Sequence, residues 1–282
     1  MKQLPEKPNL RNLKNQAKAL LKAHGRQDPP ACETLRLLRR FSGASDPEIL
    51  GSRLALADAQ YALALDYGFA SWTRLKQHVE TMQDEATAAR ARELVAKATA
   101  IYTSKGPSSD STGSEWDRAR RNLTGEFLKA GEAGSLADVE LSRSENARTR
   151  REAAVRFGIR RDTRSKEQLA LMLHDRSGVV RRTVLRWYAA AVHPESPRDP
   201  IGAVRVPANE IPPGLAPVLP MVGDTNAEVR LTAVHALASY THLDDAGVDD
   251  ALRRALEDPK HKVHHAAAKA LGLTCPGCGA MA

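Results

Sequence analysis

Aromatic side chains are scarce in this 282-residue chain: three tryptophans, five tyrosines and four phenylalanines, 4% in all. Ala, Leu and Arg are abundant instead. That mix suits helices packed closely through small residues and excludes a sheet-built core rich in aromatic and β-branched residues. Cysteine is nearly absent. Cys32, Cys275 and Cys278 are too few for a disulfide framework, so a reducing, cytoplasmic setting is expected. No apolar run reaches the roughly 18 residues of a membrane span. Met1-Lys-Gln-Leu-Pro runs into an amphipathic pattern, where a secretory leader would show an apolar stretch and a small-residue cleavage site.

Catalytic signatures are missing too. There is no Gly-rich phosphate loop, no nucleophile elbow, no His-Glu-x-x-His and no EF-hand loop. The carboxylate pairs Asp244-Asp245 and Asp249-Asp250 fall where a helix begins and complement its dipole. The expectation is a non-catalytic protein without a resident cofactor.

What the chain does have is positive charge in one place. The formal net charge is +8. Residues 143–186 hold 13 Lys and Arg against 5 acids, so this stretch alone accounts for the excess. A localised positive field attracts an acidic protein segment, nucleic acid or an anionic membrane face.

Hydrophobic residues make up 42%, enough for a packed interior, and their spacing is helical. Residues 1–80 read as a helical module. Leu10, Leu13, Ala17, Leu20 and Leu21 mark a first helix, stopped by Gly25 and Asp28-Pro29-Pro30. A second runs through Leu35, Leu38 and Phe41, and Ser45-Asp46-Pro47-Glu48 starts a third. The last two run through Leu54–Leu65, up to Gly68, and from Ser71 to Glu80. Pro8-Asn9-Leu10, Leu56-Ala57-Asp58-Ala59-Gln60 and Tyr67-Gly68-Phe69-Ala70-Ser71-Trp72 resemble the module that precedes repeat arrays in many bacterial ankyrin-repeat proteins. That resemblance implies architecture and no activity. Residues 81–131 then read as connecting helices with a Ser/Gly-rich flexible linker at 104–114.

Residues 132–274 repeat themselves. Asp224-Thr-Asn-Ala-Glu-Val-Arg230 with Ala233, Val234 and Leu237 is the clearest copy. Asp175 to Arg181 and Asp258 to His264 match it, and Ser144 to Arg150 is a weaker match. The starts lie 31, 49 and 34 residues apart, the range of helical repeats. Each copy follows an apolar stretch, and the seven prolines between His193 and Pro217 account for the long spacing as an inserted loop. A short helix, a turn carrying Asp and an Ala-rich second helix opening Val-Arg is similar to HEAT repeats of the bacterial type. The expected fold is all-α: the N-terminal module, then a short right-handed α-solenoid of about four HEAT-like helix pairs, closed by a tail at 275–282.

In register, the copies gather charges into columns. The first holds Arg150, Arg181, Arg230 and His264, the second Arg151, Arg182, Leu231 and His265, the third Val155, Arg186, His235 and Lys269. The HEAT resemblance implies that the second helices line a concave face. It also implies that the turn acids Asp175, Asp224 and Asp258 pair with Arg150, Arg181 and Arg230 in a structural ladder. The other two columns lack matching acids, which leaves Arg151, Arg182, Arg186, His235, His265 and Lys269 as binding candidates. Trp187 is the one stacking candidate in the basic stretch, or else it is buried between helices.

Three functions fit this pattern. The first is a scaffold that grips an acidic protein segment. The second is nucleic-acid binding in the same groove through phosphate contacts. The third is assistance to an enzyme, as the resemblance to HEAT-like bilin lyases would imply. HEAT-like alkylpurine DNA glycosylases also bind in such a groove, but a flipped base needs aromatics and a catalytic carboxylate, and Trp187 with Asp162 or Asp175 is a poor match. Cys275-Pro-Gly-Cys278 looks like half a zinc knuckle, and zinc needs four ligands. Either His261, His264 and His265 fold back, or a second chain supplies thiolates, or the tail carries free thiols.

Overall fold

The computed structural model describes residues 2–104, 115–192, 213–243 and 245–275. Within them the regular elements are all helical. All of the expected linker at 104–114 but Ser104, and Cys278, lie outside the described residues. The chain divides into two compact units, Met1–Ala89 and Arg90–Ala282. The division falls inside a helix, Trp72–Thr103.

The first unit contains α1 (Leu10–Gly25), α2 (Pro30–Leu35), α3 (Asp46–Leu50), α4 (Leu56–Asp66) and the first part of α5 (Trp72–Thr103). The Asn9 side chain accepts the Arg11 N–H at 2.8 Å and caps α1. At α3 the Glu48 carboxylate accepts from both the Ser45 N–H and the Ser45 hydroxyl, each at 2.7 Å. One cluster packs Ala31, Cys32, Leu35, Phe41 and Ile49 together; another joins Leu13, Ala64, Leu75 and Val79. The expected second helix is shorter than the apolar spacing implied. It ends at Leu35, and Leu38 and Phe41 reach the same cluster from a separate 3-10 turn, Arg39–Phe41. Helical spacing does not distinguish one helix from a turn that brings the same side chains inward.

The second unit starts with the later part of α5 and with α6 (Glu115–Lys129), then proceeds in pairs. These are α7 (Glu132–Leu141) with α8 (Ala147–Arg160), α9 (Thr163–Met172) with α10 (Gly178–Val192), the 3-10 helix Pro213–Gly223 with α11 (Ala227–Leu237), and α12 (Ala246–Leu256) with α13 (His261–Leu271). The second helices pack in sequence, α8 on α10, α10 on α11 and α11 on α13. One continuous core joins the pairs, from Phe157 through Leu185 and Val234 to Val263. No pair could bury its apolar stripe alone; stacking does it, at about 1.5–3 kcal/mol for each large aliphatic side chain removed from water.

The third pair departs from expectation. Residues 213–217, read from sequence as the end of an inserted loop, already belong to the 3-10 helix that replaces a first α-helix. Pro217 and Pro220 lie inside it. Each lacks an N–H to donate, yet Leu215, Val218, Met221 and Val222 still face inward and are buried.

Candidate functional site

The turn between the helices of each pair is built the same way. Asn146 and Asn226 cap α8 and α11 by accepting two backbone N–H groups each. Two positions earlier stands the turn residue, Ser144, Asp175, Asp224 or Asp258. It accepts the backbone N–H two residues on: Ser144 from Asn146 at 3.2 Å, Asp175 from Ser177 at 2.8 Å, Asp224 from Asn226 at 2.7 Å and Asp258 from Lys260 at 2.8 Å. These bonds aim each Asp carboxylate at the preceding pair.

The first column of cations meets those carboxylates. Arg150 binds both oxygens of Asp175 at 2.6 and 2.9 Å. Arg181 binds both of Asp224 at 2.7 and 2.6 Å, and Arg230 grips both of Asp258. Each guanidinium also donates Nη1–H to its own turn, at Ser144, Asp175 and Asp224 respectively. Forked, charge-assisted pairs of this kind hold both distance and angle. Burial would raise the three carboxyl pKa values, but the facing guanidinium and the turn N–H reverse this and hold them below the ordinary range. Arg150, Arg181 and Arg230 are therefore occupied within the array.

Both ends of this ladder are chemically closed. At the first turn no earlier rung exists, and the acid is replaced by Ser144, whose hydroxyl still serves the backbone. At the last turn no further Asp exists, and Arg is replaced by His264. Its Nδ1 donates to the Asp258 carbonyl at 2.8 Å, the counterpart of each arginine's Nη1 bond.

The other columns sit on the same row of second helices. Arg182 and Lys269 are exposed, Arg186 is half-buried, and His235 on α11 and His265 on α13 are exposed and half-buried. Two corrections follow from the geometry. The second column does have matching acids: Arg182 lies 3.3 Å from Glu228 and Arg151 3.2 Å from Glu152. Helix α11 brings Glu228 alongside α10, and Glu152 is the neighbour of Arg151 in sequence. Trp187 is 7% exposed, with its ring against Gly158 of α8, so it is core and offers no face to a base.

The basic stretch is also less basic in space than in sequence. Glu132, Asp138, Asp224 and Glu228 all lie outside residues 143–186, and they bind five of its arginines: Arg156, Arg160, Arg164, Arg181 and Arg182. Those four acids halve the local excess. Arg156 is wholly buried. It donates Nε–H to Asp138 at 2.6 Å and Nη1–H to the Tyr102 hydroxyl at 2.8 Å, with its guanidinium 4.2 Å from the Phe127 ring. This structural cluster was missed in the sequence, though a signal exists. In register, Arg156 aligns with Trp187, Ala236 and Ala270, so it is a charge in an otherwise apolar column.

Near the C-terminal end, His261, His264 and Cys275 bring their ligand atoms within 4.8 Å of one another. Cys275 is buried. Of the arrangements open from the sequence, the fold has His261 and His264, without His265, beside Cys275.

Residues 214–276 match the family model of HEAT repeats. No curated protein matches the chain. No helix among the described residues is long and apolar enough to cross a membrane. The match spans the last two helix pairs, and with the paired helices before them it supports a HEAT-like repeat array, an architecture that suggests a protein-interaction or scaffold role.

Proposed function

We propose that the array is a non-catalytic scaffold that grips an acidic protein segment along its second-helix face. The observation that supports this reading is the division of labour among the cation columns. One column is consumed by the ladder, while the equivalent positions one and five residues further along carry the exposed Arg182 on α10 and Lys269 on α13. The Arg182–Glu228 pair is about half exposed on both sides, at 48% and 51%. Exposed pairs of this kind are weak, so a partner carboxylate can replace Glu228 at little cost. HEAT repeats being generally non-catalytic fits the lack of a catalytic motif in the sequence.

Nucleic acid is the competing ligand, and the burial of Trp187 weighs against it, because single-strand binding relies on stacking platforms. Fluorescence anisotropy decides between them, with a labelled glutamate-rich peptide and a labelled oligonucleotide of equal charge as probes. The scaffold reading expects the peptide to bind at near-physiological salt and the oligonucleotide only at low salt. Tighter oligonucleotide binding at both salt levels would overturn it.

A further inference from the structure

We propose that His261, His264 and Cys275 form a zinc-class metal site that staples the chain after α13 onto the last repeat. The argument begins with the end of the ladder. His264 occupies the column that elsewhere holds arginine, and a carbonyl can only accept, so its Nδ1 carries the proton that Asp258 receives at 2.8 Å. In a neutral imidazole this leaves Nε2 with a bare lone pair. That atom is buried and has no hydrogen-bond partner among the described residues. A carbonyl on Nδ1 with a free Nε2 is the arrangement that orients a metal-binding histidine.

The chain then returns to meet it. Gly272 takes a left-handed conformation, φ 65°, and the Leu273 N–H closes on the Ala268 carbonyl at 2.9 Å. This αL termination reverses direction after the helix, so Cys275 comes back along α13 to its first turn. There Sγ lies 3.9 Å from His261 Nε2. Tetrahedral zinc with Zn–S of about 2.3 Å and Zn–N of about 2.0–2.1 Å separates its ligand atoms by about 3.3–3.6 Å. One ligand atom from each of the three residues lies within 4.8 Å of the others, so the site needs a contraction of about 1.5 Å at most. Two imidazoles and a thiolate select a borderline-soft divalent ion over magnesium or calcium. The consequence is a cap. An open repeat end needs closing, and a metal here would tie the returning chain down where the ladder runs out of acids.

Zinc and cobalt are the probes. Native mass spectrometry of the full chain after zinc loading and desalting is expected to show one zinc per chain. Cobalt is expected to give the visible bands of a tetrahedral site with a thiolate charge-transfer band, and zinc to slow alkylation of Cys275. Cys275→Ser should abolish the charge-transfer band. His264→Gln, whose amide can keep the Asp258 bond, should weaken zinc by more than the ~10–100-fold typical of an outer-shell partner. His235→Gln should leave binding unchanged. A metal-free wild-type mass, one zinc per two chains, or zinc affinity unaltered in both His264→Gln and Cys275→Ser would overturn the proposal. Circular dichroism checks that the variants fold, and the wild-type cobalt spectrum stands as a test without them.

Discussion

Arg181 and Asp224, 43 residues apart, are joined by two parallel hydrogen bonds of 2.7 and 2.6 Å, with both side chains mostly buried. The pair bridges the longest spacing in the repeat and holds α10 against the turn before α11. Removing one partner leaves the other charge shielded from water and unmatched. Arg181→Ala should therefore lower unfolding free energy by about 2–3 kcal/mol. Arg181→Lys should recover less than half of that, because an ammonium cannot make the fork. Urea denaturation checks both, and equal stability of the lysine variant and the parent would show that only charge matters.

The same rungs set an acid limit. The folded pKa values of Asp175, Asp224 and Asp258 lie below their ordinary values, since the guanidinium groups outweigh burial. Groups with depressed folded pKa values stabilise fully above the unfolded value, about 3.9 for Asp, and lose that contribution as pH falls through the folded values. Stability should thus be flat with respect to these rungs above about pH 5 and decline below about pH 4. Arg181→Ala should shorten the decline by one rung, which denaturation at a series of pH values reads directly.

Much of this was legible in the sequence, and the failures have physical causes. The recurrence of Asp175, Asp224 and Asp258 in register located the turns, each three residues before the second helix of its pair. The net charge of residues 143–186 misled because charge counted along the chain ignores partners from neighbouring elements. Asp138 and Glu228 lie outside the stretch and beside it in space. The 3-10 helix Pro213–Gly223 was read in part as loop, because prolines break an α-helix yet permit tighter winding. His264 was visible as a histidine and as a column member, but its bare Nε2 follows from a carbonyl contact that no spacing reveals.

Gly158 offers a test of packing. It lies inside α8, where glycine costs about 1 kcal/mol relative to alanine. An added Cβ would meet the Trp187 ring at 2.3–2.5 Å. Gly158→Ala should therefore destabilise, by about 1–3 kcal/mol after the ring shifts, despite its better helix propensity. A thermal melt that rises in the variant would show that Trp187 does not hold that position.

The central claim is that Arg182 and Arg186 bind an acidic partner and are not needed for folding. Binding of a labelled glutamate-rich peptide to the parent protein and to the double variant Arg182→Glu, Arg186→Glu, with a thermal melt of each, tests it most directly. The account predicts that the double variant loses binding by at least ~10-fold, as for removal of a charge-assisted contact, while its melting temperature stays within a few degrees of the parent. A folded double variant that binds the peptide as tightly as the parent would contradict it.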